Sequence, residues 1–114
     1  MKTAVVTGAA GAIGSAICCR LVSRDYRVLA VDVDPEGLQR LPEQTVPVLA
    51  DLTRPDFTDV VLAAVEAAGR HCDVLVNNAG MVVPGPLEDT DPEAIHREQL
   101  VNLYAPMVLT CRLP

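Results

Sequence analysis

Apolar residues in this chain follow two rhythms that alternate from one end to the other. Short unbroken runs occur at "KTAVVT" (residues 2–7), "RVLAVD" (27–32), "TVPVLAD" (45–51) and "DVLVNN" (73–78). Runs this brief and this apolar predict strands covered on both faces. Between them the spacing changes. Ile13, Ile17 and Leu21 stand at i, i+4 and i+8 with Ala16 beside them, predicting an amphipathic helix to about Arg24. "DPEGLQRL" predicts a short helix with Asp34 as its cap and Pro35 at its first position. Val60, Val61, Ala64, Val65 and Ala68 mark another, stopped by Gly69. "MVVPGPLED" reads as a loop, after which Thr90 and Glu93 form a capping box for a last helix. That helix runs into "VNLYAPMVLTCRLP" (Val101–Pro114), with Asn102 and Pro106 inside it. Leu103, Met107 and Leu109 are expected on an uncovered apolar face.

Strict alternation of strand and helix predicts an α/β fold with a parallel sheet between two helical layers. Right-handed crossovers then favour the strand order 3-2-1-4, the leading half of a Rossmann-type doubly wound sheet. Pro47 cannot donate to a ladder on both sides, which suits an edge strand. The fourth strand is expected to leave an apolar edge exposed, since no fifth strand follows within these residues. Neither repeats nor a linker divide the chain, so residues 1–114 read as a single, incomplete domain.

Composition narrows the function classes. Half of the 114 residues are apolar and 21% are charged, which excludes a disordered chain. A net charge of −6 and 3% aromatic residues, none of them Trp, argue against a nucleic-acid surface. Cys18 and Cys19 are adjacent, Cys72 and Cys111 are isolated, and no C-x-x-C or H-x-x-x-H spacing offers a metal site. The four are read as small buried hydrophobes in a reducing cytosol. Lys2 followed by "TAVVTGAAGAIGSAICC" has the charge pattern of a signal peptide, but glycines interrupt it and its start reads better as a strand. No other charge-free run approaches the ~18 residues of a membrane span, so a cytoplasmic chain is expected.

"VVTGAAGAIG" joins the first strand to the first helix. Gly8 can make the tight turn, Gly11 lets backbone approach a ligand, and Gly14 lets the helix pack against the sheet. The helix start then offers unpaired N–H groups and a positive dipole end to a pyrophosphate. A small-residue turn made only for packing is the competing reading. A Walker-type loop is excluded, because no Lys follows the last glycine. Asp32 ends the second strand, where an acid can accept hydrogen bonds from adenosine ribose hydroxyls and repel a 2′-phosphate. Neither Ala10 nor Val33 supplies the basic side chain an NADP site would want, so NAD is preferred over NADP. The plainer reading of Asp32 is a solvated acid opening the Asp-Val-Asp-Pro turn.

"TGAAGAIG" (7–14) together with "LVNNAG" (75–80) resembles the short-chain dehydrogenase/reductase family, compact NAD(P)-dependent oxidoreductases. "VLADLT" (48–53) and "VNLYAP" (101–106) are similar to that family's pattern at the expected places, so the resemblance covers the whole chain. The Gly8-x-x-Gly11-x-x-Gly14 spacing is shared with the family's extended branch, and Ala12 stands where the compact branch usually has glycine. "NNAG" assigns the compact branch. The resemblance implies that Gly8, Gly11, Ala12, Ile13 and Gly14 seat the pyrophosphate, Asn78, Ala79 and Gly80 line the ribose, Asp51 contacts the adenine amino group and Leu52 flanks the ring. The side chains of Asn77 and Asn78 can satisfy strand-end backbone groups.

Pro106 has no N–H, which frees the carbonyl of Asn102 four residues earlier to hold a water. A kink tolerated for packing is the alternative. In the family, the matching Asn holds a water of the proton relay, which implies that role for Asn102. The relay's other members would be a Ser and a Tyr-x-x-x-Lys pair. The tyrosines here are Tyr26 and Tyr104, followed four residues on by Ala30 and Val108, and Lys2 is the only lysine. The resemblance therefore implies hydride transfer between NAD(H) and an alcohol or carbonyl substrate, in a chain lacking its acid–base machinery. A truncated gene product, a mis-predicted frame or a fragment would each look like this, and the 114 residues alone are expected to be inactive. The competing expectations are a non-catalytic NAD-binding module and a poorly folded remnant. By analogy with the family, a homo-oligomer is expected.

Overall fold

Each of the four apolar runs becomes a strand, and all four pair in parallel. The computed structural model describes all 114 residues, Met1–Pro114. Strands β1 (Thr3–Thr7), β2 (Arg27–Asp32), β3 (Val46–Leu49) and β4 (Val74–Val76) form one sheet in the order β3-β2-β1-β4. In register, Thr7 sits opposite Val31, Val6 opposite Val76, and Asp32 opposite Leu49. All strands run the same way, but the order in which they are added to the sheet reverses between β1 and β4, the crevice at which such folds bind ligands.

Helices α1 (Ala12–Ser23) and α2 (Pro35–Gln39) cover one face of the sheet. Helix α3 (Phe57–Ala67) covers the other, together with α5 (Ala105–Arg112), which continues α4 (Pro92–Gln99). Because side chains alternate along a strand, Val5, Leu29 and Val31 face α3 and α5 while Val6, Val28 and Ala30 face α1 and α2. Both sets are fully or almost fully buried, which is why these strands carry no polar alternation. Pro47 lies in β3, an edge strand, as its missing donor requires. Gly69 and Arg70, both at positive φ, turn the chain away from α3.

Several sequence expectations are corrected. The buried side of α1 is Gly14 and Cys18 with Ile17, Leu21 and Val22 beside them, whereas Ile13 is 71% exposed. Ile13 stands in the first turn, beyond the strand ends, where no sheet lies beneath it. Leu109 is not on the uncovered face; it is buried with Ala105, four residues earlier, against Val61 and Val65. Thr90 does not cap α4: Asp91 does, accepting from the Glu93 amide at 3.1 Å, while the Thr90 hydroxyl donates to the Pro86 carbonyl. Asp34 precedes α2 without a side-chain capping bond. Of the cysteines only Cys18 is buried; Cys72 is half-buried, and Cys19 and Cys111 are exposed. No cluster of His, Cys, Asp or Glu could hold a metal, and no helix is long and apolar enough to cross a membrane.

Between α4 and α5 the helix widens into a π turn, Leu100–Tyr104, in which the Ala105 N–H donates to the Leu100 carbonyl. Pro106 sits just beyond it. Widening the turn is how this helix takes a residue with no N–H to give back.

Candidate functional site

The glycine loop and the segment after β4 meet at one polar side chain. Buried at the end of β1, the Thr7 hydroxyl accepts from the amides of Asn78 (3.1 Å) and Ala79 (3.0 Å). In return, the Asn78 Nδ2 donates to the carbonyls of Thr7 and Gly8, both at 3.2 Å. The result is a closed exchange in which strand-end backbone groups have no need of water. Asn77 does not join it; its Nδ2 reaches the Thr110 hydroxyl on α5 instead.

That exchange leaves no space for a side chain at Gly8. Its φ is +64°, and a Cβ there would lie 2.8 Å from the Ala79 Cα. Gly14 has a role other than the expected packing on the sheet: a Cβ there would overlap the Gly8 carbonyl oxygen and crowd the Asn78 amide. Gly11, Ala12 and Ile13 are exposed, and no side chain caps α1. The first amides of α1 are therefore left for an anionic ligand, at the positive end of the helix.

Asp32 is held by three backbone amides. Its Oδ1 accepts from Val33 (2.7 Å) and Asp34 (3.1 Å), and its Oδ2 from Ala10 (2.9 Å) on the glycine loop. Across the crevice the Asp51 Oδ1 accepts from both the hydroxyl (2.7 Å) and the amide (2.9 Å) of Thr53, leaving Oδ2 without a protein partner. The Thr53 hydroxyl and then its amide hold the Asp51 carboxyl below its usual range, against the opposing effect of burial and with the smallest help from the charge of Arg54.

A cleft of about 270 Å³ opens between these groups, lined by Gly8, Asp32, Asp51, Leu52, Ala79 and Gly80 among others. Val31, Val33, Ala50, Thr53, Met81 and Val101 complete its wall; of these the sequence draws attention only to Val33, as a position without a base. No basic side chain lines it. Its apolar floor and two carboxylate corners suit a flat ring carrying a polar edge, with hydroxyls at one end. Asn78 braces the wall from behind, while Gly11 and the first turn of α1, Ala12 to Gly14, are not part of the cleft wall.

Asn102 does not itself line the cleft but holds a residue that does. Its side chain clasps the main chain of Met81 in both directions: Oδ1 accepts from the Met81 N–H at 2.8 Å, and Nδ2 donates to the Met81 carbonyl at 2.7 Å. The loop after β4 is thereby fixed to the π turn. Thr7 and Met81 carried little signal in the sequence. A threonine ending a buried strand beside a glycine turn was the available clue, because its hydroxyl must find partners there.

Comparison with known proteins follows the same outline. A family model described as short chain dehydrogenase matches residues 2–113. Over 112 residues the chain is 42% identical to an uncharacterized short-chain type dehydrogenase/reductase, y4eK, of Sinorhizobium fredii, covering 96% of this chain and 43% of that protein. It is 39% identical over 113 residues to 1-deoxy-11-beta-hydroxypentalenate dehydrogenase of Streptomyces avermitilis, covering 91% and 42% respectively. Among solved structures, a metagenomic short-chain oxidoreductase in complex with NADP superposes with a TM-score of 0.89 at 36% identity, over 96% of this chain and 53% of the other. The 3-ketoacyl-(acyl-carrier-protein) reductase of Brucella melitensis, complexed with NADH, gives 0.87 at 31%, over 98% and 48%. The chain thus spans about half the length of the relatives it matches, or less.

Proposed function

Because the chain belongs to the short-chain dehydrogenase family, we propose that residues 1–114 are the cofactor-holding front of an NAD-dependent oxidoreductase acting on a small alcohol or carbonyl compound. The observation that carries this reading is the cleft at the reversal between β1 and β4, with Asp32 and Asp51 at its corners. Asp51 Oδ2 is free to accept from an adenine amino group, and Leu52 to flank the ring. Gly11, Ala12, Ile13 and Gly14 present backbone to a pyrophosphate, while Asn78, Ala79 and Gly80 bound the ribose on the nicotinamide side. Bound there, the nicotinamide supplies or accepts the hydride.

Structural relatives have been solved in complex with NADP, NADPH or NADH, so a nicotinamide dinucleotide is the ligand those three share. The choice of NAD for this chain rests on its own residues. Asp32 places a carboxylate where a 2′-phosphate would lie, and neither Ala10, Val33 nor any wall residue offers a balancing cation. Asn102 is assigned to the proton relay, a reading supported by its side-chain clasp on Met81 at the cleft wall and by Pro106, four residues on, which has no N–H to offer the Asn102 carbonyl. Tyr26 and Tyr104 are not followed by lysine, so these residues contain no Tyr-x-x-x-Lys pair to move the proton.

Binding without turnover is therefore expected of the 114-residue chain. Titration calorimetry should show saturable NAD binding that is tighter than NADP binding and weakened roughly tenfold by Asp32→Ala. Absence of any heat or NAD-dependent stabilisation would sink the reading. Steady NADH-linked turnover from the pure chain would instead overturn the relay assignment. The outer face of α5 and the preceding π turn is proposed as a self-association surface, since Leu103, Tyr104 and Met107 are more than half exposed there.

A further inference from the structure

The geometry points to Gly37, a buried residue of α2 outside the cleft, as a positioning residue that sets the discrimination between NAD and NADP. This rests on the cofactor reading above. A carboxylate has about four acceptor positions, and Asp32 has three filled: two on Oδ1, by Val33 and Asp34, and one on Oδ2, by Ala10. One position is left, on Oδ2, for a ribose hydroxyl. Its direction is set by where the Ala10 N–H sits.

Ala10 is in turn backed by α2. A Cβ on Gly37 would stand 2.7 Å from the Ala10 Cβ, about 1 Å inside the usual ~3.5–4.0 Å carbon contact. The Asp34 Oδ2, 2.6 Å from the same point, belongs to an exposed side chain that can swing aside; the Ala10 methyl, on the loop backbone, cannot. Leu38, the next residue of α2, is buried in one cluster with Ala9, so the helix is already seated against the loop. Glycine at 37 is what permits this approach. A side chain at 37 would push loop and helix apart, lengthen the Ala10–Asp32 bond and re-aim the last acceptor position.

A double-mutant cycle on the full chain tests this, reading NAD and NADP affinities by calorimetry for wild type, Gly37→Ala, Ala10→Gly and the pair. Gly37→Ala should weaken NAD roughly tenfold and NADP less than about twofold, so that the affinity ratio falls. Adding Ala10→Gly removes the methyl that the new Cβ meets, and should restore the ratio to within about threefold of wild type. A general loss of structure would weaken both dinucleotides alike and would not be reversed by a second glycine. An unchanged ratio in Gly37→Ala, or a folded pair without recovery, overturns the proposal. If Gly37→Ala fails to fold, a folded pair with wild-type discrimination supports it, and a pair that also fails to fold overturns it. A wild-type chain that prefers NADP sinks the NAD reading separately, since the cycle is scored against the wild-type ratio whichever way it leans.

Discussion

At the scale of single residues, the site depends on Thr7 more than on any charged group. Its hydroxyl is the acceptor for two amides, and valine has the same shape with no acceptor. Thr7→Val should therefore cost about 2 kcal/mol, the penalty for stranding donors in a half-buried site. Urea unfolding would read it as a lower midpoint with an unchanged slope, and a shift equivalent to under about 0.5 kcal/mol would contradict the geometry. Thr53 offers a second test through pH. Its hydroxyl and amide depress the Asp51 carboxyl, so Asp51 adds stability above the unfolded value of about 3.9 and loses it as pH falls through the lower folded value. Thr53→Val should raise the Asp51 titration, followed by its carboxyl NMR shift, and flatten the acid side of the stability curve. Residues that could be placed at the cleft beforehand are those whose chemistry is restrictive: Gly8, Ala79, Gly80 and the acid after the second strand all line it. Thr7 could not be placed, since a threonine in a β-branched run is also an ordinary strand residue.

Among the elements, strands were easier to place than helix faces. A strand buried on both sides announces itself by unbroken apolarity, as β1 and β2 do; β3 and β4 also pair in the sheet, but Val46, Pro47 and Leu49 are exposed and β4 is only half-buried, so apolarity alone overstated their cover. A helical period fixes which residues share a face, yet not how far along the helix a neighbour extends. Ile13 has the right spacing on α1 but no sheet beneath it, and Leu109 gains cover only because Ala105 lets α5 approach the sheet. Caps are similarly local. Thr90 and Asp91 are both competent cap residues, and Asp91 wins because its carboxylate reaches the Glu93 amide while Thr90 is spent on Pro86. Asp91→Ala should accordingly cost about 1 kcal/mol and Thr90→Ala only a few tenths; equal losses in thermal unfolding would contradict this. On α1, adjacent thiols divide by face. Burial, with a smaller effect from Cys19, pushes the Cys18 thiol up to about 11, whereas Cys19 is exposed. A disulfide reagent at neutral pH should modify Cys19 and Cys111 quickly, Cys72 slowly, and Cys18 only on unfolding.

At the scale of the whole molecule, the sheet order followed from alternation and handedness alone, but the distribution of cover did not. The chain measures 49 × 26 × 19 Å with a radius of gyration of 14.3 Å, against about 13 Å for a compact domain of this length. Only 25 of 114 residues are buried, so much apolar surface remains in water. Part of it is concentrated on the outer side of the last helical stretch, where Leu103 and Met107 are both 59% exposed and Tyr104 is 55% exposed. On one side β4 pairs with β1, and its other edge has no partner strand. Two surfaces could thus drive self-association, and they predict different remedies. If the helix face dominates, Leu103→Lys with Met107→Glu should shift sedimentation toward the monomer without changing NAD affinity, because neither residue lines the cleft. If the β4 edge dominates, that pair of changes should leave the assembly intact. The helix face is expected to prevail: β4 offers three residues of edge, whereas the helix presents long side chains that lose more water on contact. A wild-type chain that already sediments as a single monomer at micromolar concentration would contradict both.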